Sequence, residues 1–268
     1  MAKTKIDWCD MVLNPAWGCG FKCSFCYARK FAKRFGRQIA IKEFEYRIGM
    51  DKGLADYLKD EQRRKNYIST LIKKLTEFEP VVVLHSNLNR ALPKRPQRIF
   101  VNSMSDIAFW PADGWLHSKV IEKAKQHRQH TFLFLSKAPH AYHKFFTFEI
   151  PENMWFGVTV TNNRQLSRYR NHLRLFKARG LRTFISIEPM FERIDTQLID
   201  PNITDWVIVG AQTNPYRPPE KKWVEEIVSR AKELSIPVFL KNNLKRICEV
   251  LIKQFPQTKF TGGNDAKQ

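Results

Sequence analysis

Cys19-Gly20-Phe21-Lys22-Cys23-Ser24-Phe25-Cys26 gathers three of the chain's five cysteines into one loop, spaced C-x3-C-x2-C, directly ahead of a basic amphipathic run. Three thiolates are one short of the four that close a structural zinc site, or a cluster ligated wholly by protein. A cubane [4Fe–4S] cluster held by three cysteines keeps one iron open to an outside ligand. Residues 11–16 before the loop read as a short strand, ended by Pro15 and Gly18. From Ser24 onward, Phe25, Ala28, Ala32 and Phe35 recur at helical spacing and predict a helix.

Working outward, apolar runs at 98–102, 131–135, 154–160, 183–187, 206–209 and 237–240 alternate with helical patterns at 115–127, 139–146, 163–178, 222–234 and 244–252. Short strands alternating with helices predict an α/β fold, with parallel strands inside and helices outside. The segment at about 38–97 does not join this alternation. It carries a helical pattern near 57–78, the apolar run Val81-Val82-Val83-Leu84 and a basic, proline-broken loop at 94–98, and reads as an elaboration. Residues 1–260 are expected to form one domain, and 261–268 a disordered tail.

The charge is lopsided: 46 Lys+Arg against 26 Asp+Glu in 268 residues, formally +20. Such a field favours nucleic acid or another polyanion as partner. Arg29, Lys33 and Arg37, with Lys30 and Arg34 beside them, form one basic stripe, and Arg164–Arg179, with Arg168, Arg170, Arg174 and Lys177, a second. Like charges at the four-residue spacing of the first repel slightly, so that stripe does not serve helix stability. Trp110, Trp115 and Trp155 are candidates to stack on bases. No apolar run approaches the roughly 20 residues of a membrane span, and residues 1–10 are charged and lack the apolar core of a signal peptide. An odd cysteine count with a tight triplet argues against a disulfide framework and for a reducing cytoplasm.

In barrels the chemistry sits at the C-terminal ends of the strands. Here the ends read Ser103-Met104-Ser105-Asp106, Ser136-Lys137, Thr159-Val160-Thr161-Asn162, Glu188-Pro189, Gly210-Ala211-Gln212-Thr213-Asn214 and Lys241-Asn242-Asn243. Asp106, Lys137, Glu188 and Lys241 each follow a hydrophobic run, where a charge is costly unless paired or ligand-bound. Glu188, Gln212 and Lys241 are read as the catalytic, substrate-side set.

The cysteine motif resembles that of the radical S-adenosylmethionine superfamily. Ile6-Asp7-Trp8, Asn14-Pro15, Cys26-Tyr27-Ala28-Arg29, Val101 to Asp106, Ile187-Glu188-Pro189, Trp206 to Gly210 and Phe239-Leu240-Lys241 resemble one branch of it, a largely uncharacterised bacterial, archaeal and phage family distantly similar to spore photoproduct lyases. The resemblance implies a partial (βα)6-type barrel. Cys19, Cys23 and Cys26 would hold a [4Fe–4S] cluster whose open iron chelates S-adenosylmethionine. An external donor's electron then yields methionine and a 5′-deoxyadenosyl radical, which removes hydrogen from the substrate. By the same resemblance Phe25 packs on the adenine, Ser105 and Asp106 take the methionine amino group, and Lys137 lies near its carboxylate with Thr159 or Thr161. The chain departs from the pattern at Cys9, where the branch carries Thr, and it lacks a Gly-Gly-Glu segment. A competing reading is a nucleic-acid-binding protein with structural zinc, Cys9, His85 or His140 closing the site, or with a non-catalytic cluster.

Overall fold

Residues Met154–Val160 are buried at every position, as a strand is only when its sheet is covered on both faces. The computed structural model describes residues 4–257, so the expected tail at 261–268 lies outside the described residues. In chain order the elements are β1 (Met11–Val12), β2 (Ala16–Trp17), α1 (Tyr27–Met50), α2 (Lys52–Tyr57), α3 (Glu61–Glu77), β3 (Val82–Val83), α4 (His85–Leu88) and β4 (Arg98–Phe100). There follow α5 (Trp115–Gln126), β5 (Thr131–Ser136), β6 (Met154–Val160), α6 (Asn163–Ala178), β7 (Arg182–Ile187), β8 (Val207–Val209), β9 (Gln212–Thr213), β10 (Tyr216–Arg217), α7 (Lys221–Glu233) and β11 (Val238–Leu240). Seven strands form one sheet in the order β1-β4-β5-β6-β7-β8-β11, each pair parallel. The result is a mixed α/β half-barrel with helices around it.

Side-chain alternation along each strand sorts the core into two layers. Ile99, Phe134, Phe156, Ile185 and Val207 point outward and pack with residues of α5, α6 and α7. Phe100, Leu133, Trp155, Phe184, Ile208 and Phe239 point inward and pack with Trp8 and Trp206, filling the floor of the concavity. Trp155 is therefore floor and Trp110 is buried core, which removes both as base-stacking platforms; Trp115 alone of the three is exposed.

Three expectations are corrected. The helix after the cysteine loop starts at Tyr27 and runs 24 residues, into the segment read as an elaboration. Residues 139–147 form consecutive 3-10 turns instead of an α-helix. Residues 244–252 are not a helix: after a 3-10 turn the chain turns back and pairs antiparallel along β11. Leu240 N donates to Ile252 O at 2.8 Å and Gln254 N to Val238 O at 2.9 Å. That return strand satisfies backbone groups that an open sheet edge would leave unpaired.

The 38–97 segment folds back on α1. Ala28, Ala32, Gly36 and Ala40 recur every four residues, all buried, and form a flat stripe against α3. At Gly36 the helices touch: a Cβ there would stand 2.8 Å from the carbonyl of Leu75. The Trp17 indole, from β2, donates to that same Leu75 carbonyl at 2.9 Å, so the strand beside the cysteine loop is tied to the hairpin. No helix among the described residues is long and apolar enough to cross a membrane.

Two predictions test this packing. Gly36→Val forces α1 off α3 against backbone that cannot yield, and is expected to lower stability by at least about 1–3 kcal/mol, read as a reduced urea midpoint. His117 is fully buried beside Trp110 and Phe145, and neither ring nitrogen has a hydrogen-bond partner among the described residues. Burial, aided by the charge of Lys144, lowers its pKa to about 4. Its neutral form therefore supports the fold above the ordinary value of 6.5, and that support is lost as pH falls towards 4. His117→Leu is expected to raise the melting temperature at pH 5 more than at pH 8; an equal or opposite change contradicts the assignment.

Candidate functional site

The cysteine loop is fixed at both ends by backbone. Gly18, at a φ of +118° open only to glycine, donates its N–H to Met104 O at 2.9 Å, and Cys19 N donates to Phe78 O at 3.1 Å. Cys26 caps α1: its Sγ accepts from Arg29 N at 3.4 Å, and its own N–H reaches Cys23 O at 3.1 Å. Arg29 then bends back over the loop. Its guanidinium donates to Cys19 O at 3.1 Å and Glu77 O at 3.2 Å, and meets Glu79 at 3.4 Å. Arg29 is thus a clamp for the loop and not part of a solvated stripe.

All three loop cysteines are half-buried and free. Burial pushes the Cys19 thiol up to about 12; Asp106 and Cys26 add to this, while the Phe21 N–H and the charge of Lys137 oppose it. Those influences place Cys19 in the company of Asp106, Lys137 and Cys26. Among the described residues no group of three or more His, Cys, Asp or Glu is arranged to hold a metal ion as the side chains stand. The three ligands of a cubane bind three different irons, so they need not converge on one point. Three soft thiolates on one loop fit an iron–sulfur cluster, whose positive charge replaces the protons that burial otherwise retains.

Beyond β4 the chain makes a second fixed point. Asn14 Oδ1 accepts from Ser103 Oγ and Met104 N, both at 3.0 Å. Asp106 is buried and accepts from Ser136 Oγ at 2.7 Å, Lys137 N at 3.0 Å and Ala108 N at 3.1 Å. Three donors occupy most of the lone pairs of this carboxylate, which acts here as a post between β4 and β5. Ser105 Oγ accepts from the Trp110 indole at 3.0 Å, so its own proton is the group it can offer. Lys137 is pinned through its backbone, its carbonyl accepting from Tyr169 OH at 2.6 Å, while its ammonium makes no ion pair or hydrogen bond among the described residues.

A third fixed point crosses the far strands. Ile187, Val209 and Leu240 stand in register, which aligns Glu188, Gly210 and Lys241 one residue further on. The Lys241 ammonium meets the Glu188 carboxylate directly over Gly210. A Cβ at Gly210 would come 2.9 Å from Lys241 Cδ and 3.1 Å from Glu188 Cδ, so only glycine leaves the path clear. Tyr27 OH donates to Ser103 O at 2.8 Å, with about half of the side chain left in solvent. Tyr27, the first residue of α1, therefore ties the helix after the cysteine loop to the loop after β4. On the concave face one step below lie Thr159 and, in register with it, Ser186, which is 1% exposed with an Oγ that has no partner among the described residues.

The remaining expected residues sit at the margin. Thr161 donates from both N and Oγ1 to Gln165 Oε1, at 2.7 and 3.0 Å, and is committed to the start of α6. Gln212 closes the β9–β10 hairpin by donating to Pro215 O at 2.8 Å. The Phe25 ring meets Phe191 edge to face, with centroids 5.4 Å apart, and so joins the cysteine loop to the loop after β7. Cys9 is buried among the aromatics of the concave floor, its thiol raised to about 12 by desolvation and then by Asp10. His85 stands beside Trp115, and His140 near His172, whose pKa is lowered by burial first and then by His143 and His140. Sequence reasoning passed over Ser186, and quoted Tyr27, Ser136 and Gly210 within motifs or strand ends without giving them a role. Strand parity counted back from Glu188 would have found Ser186; the other three depend on partners remote in sequence.

A family model described as "Protein of unknown function (DUF5131)" matches residues 3–253. No curated protein matches the chain, and no solved structure does. The expected membership of the radical S-adenosylmethionine superfamily is corrected accordingly: the family matched over nearly the whole chain is a different one.

Gly210→Ala should part Glu188 from Lys241. If the pair sits over that glycine, the variant loses stability by about 1–3 kcal/mol, and Lys241→Met should then change stability less in the Gly210→Ala background than in wild type. Additive losses would mean that the contact is incidental.

Proposed function

The chain belongs to the DUF5131 family, and we propose that its cysteine loop holds a [4Fe–4S] cluster with one iron open to S-adenosylmethionine, which is cleaved reductively so that hydrogen can be taken from a substrate. The observation that carries this reading is the set Cys19, Cys23 and Cys26: three half-buried free thiols on one clamped loop, beside an uncommitted lysine at the mouth of a parallel half-barrel. Cys19, Cys23 and Cys26 would hold the cluster, which would supply the electron for reductive cleavage of S-adenosylmethionine.

The chain's own residues do the rest. Lys137, pre-set through Asp106, offers a cation to the methionine carboxylate. The Ser105 hydroxyl and the polar shelf of Thr159 and Ser186 offer donors and acceptors in an otherwise aromatic concavity. Phe25 and Phe191 present an apolar wall for the adenine. Glu188 and Lys241, only 21% and 17% exposed, hold opposite charges where the substrate enters and can orient a polar group of it. The floor built from Trp8, Trp155, Phe184 and Trp206 excludes water and alternative hydrogen donors from below. In this reading the half-barrel is a partial (βα)6-type barrel, the electron comes from an external donor, and the free thiols suit the cytoplasm.

Purified without oxygen, the chain is expected to be brown with roughly four irons, and after reduction to form 5′-deoxyadenosine from S-adenosylmethionine. A colourless chain carrying one zinc would contradict it. Lys137→Ala is expected to keep the iron and to need at least about tenfold more S-adenosylmethionine for half-maximal cleavage, the loss of one charge-assisted contact. Loss of iron instead would assign Lys137 to the loop's structure.

A further inference from the structure

The cations of α6 divide along its length. Toward its C-terminal end Arg170 and Arg174 face Asp200 at 3.0 and 4.0 Å, and Lys177 faces Asp205 at 2.6 Å. Arg182, at the start of β7, shares Asp205 at 3.2 Å, and Arg98, at the start of β4, pairs with Asp10 at 3.0 Å. The N-terminal end of the sheet is thus neutralised in place. At the other end Arg164 and Arg168, on the first turns of α6, are exposed and make no ion pair among the described residues. Because β6 delivers α6 at the mouth, these two arginines stand on its rim. So do Lys245, exposed just past β11, and Arg217 of β10, whose guanidinium lies 5.9 Å from the Phe191 ring.

Carboxylates at and inside the mouth are held in two ways, by cations or by neutral donors. Glu79 takes Lys22 and Arg29, Glu188 takes Lys241, and Glu192 Oε1 accepts from the N–H and side-chain amide of Asn163 at 2.8 and 2.9 Å. Glu192, held only by neutral donors, and Asp195, whose carboxylate accepts from Gln197 N and whose backbone meets Asn163, keep their charges, so among the described residues four unpaired cations face two unpaired carboxylates and the mouth is left net positive. Exposed rings stand with it: Tyr27, 51% exposed, and Phe21, 37% exposed.

We propose that the substrate presented to this mouth is a single strand of nucleic acid, its phosphates on Arg164, Arg168, Arg217 and Lys245 and one nucleotide turned into the concavity. The inference deepens the function proposed above by naming its substrate class. Cations without counter-charges match a phosphate backbone, and partly exposed aromatic rings match unstacked bases. A single strand is favoured over a duplex because Glu188 and Lys241 lie within the concavity, where a base still paired and stacked cannot reach.

Fluorescence anisotropy of a labelled oligothymidine with the full-length chain tests this. Binding should weaken steeply between ~50 and 200 mM salt. Arg164→Ala/Arg168→Ala should bind at least about tenfold more weakly and flatten the log–log salt slope by about 1.4, the share of two phosphates on a single strand. Arg179→Ala/Lys232→Ala removes the same charge from exposed positions at the opposite end of the sheet, and should change both quantities far less. Equal weakening by the two pairs, no binding at the lowest salt, equal affinity for a duplex, or the same arginine dependence on phosphatidylglycerol vesicles would each overturn the proposal. None of these readouts requires iron or S-adenosylmethionine. An iron-free chain that binds the strand sinks the chemistry and leaves the rim, and a brown chain that ignores the strand does the reverse.

Discussion

A carboxylate buried at the end of a strand must be met by donors, and Asp106 is met by three. Left unpaired, such a charge would cost several kcal/mol. The Ser136 hydroxyl, the Lys137 N–H and the Ala108 N–H answer it, and in doing so they fix the end of β4 against the end of β5. Asn14, just past β1, holds the same β4 loop from the other side. Gly18 enters the cysteine loop by donating to Met104, the residue that Asn14 binds. The position of the thiols relative to Lys137 is therefore set by hydrogen bonds that exist without any cofactor. Preorganisation of this kind is what a reaction needing a fixed distance between cluster and ligand demands.

The helical hairpin gives the loop its outer support. Small residues at every fourth position of α1 bring α3 close, and the turn after α3 supplies Phe78 O and Glu79 to the loop. Arg29, one turn into α1, gathers that turn and Cys19 O with a single guanidinium. The elaboration thus reinforces the candidate site through backbone contacts. Its inner packing is a cluster separate from those of the sheet, built on Trp17, Phe44, Leu75 and Phe78.

How much of this the sequence shows depends on whether the cause is local. The seven strands are legible because parallel strands buried on both faces become plain apolar runs. Helix α6 is legible to its ends, since Asn162 caps it by accepting from Gln165 N and Gly180 follows it. The return strand at 250–254 is not, because Leu244, Ile247 and Leu251 suit a helix as well as they suit β11's edge, and only tertiary pairing decides. Charge stripes mislead for the same reason. Arg170, Arg174 and Lys177 read like Arg164 and Arg168 until Asp200 and Asp205 arrive from beyond β7. Within the site, the cysteine triplet and the charges at strand ends stand out by type and place. Gly210 does not, since its role depends on the register of three strands. The superfamily resemblance rested on short motifs, and a family model spanning residues 3–253 outweighs it.

What joins the fold to the proposed chemistry is the open position left by three thiolates. Electron paramagnetic resonance of the reduced, iron-loaded chain tests it most directly. S-adenosylmethionine that binds an iron lacking a protein ligand must change the g-values of the cluster's signal, and that change is the expected result. A signal that S-adenosylmethionine leaves unaltered, at concentrations where the chain binds it, would contradict the assignment of Cys19, Cys23 and Cys26.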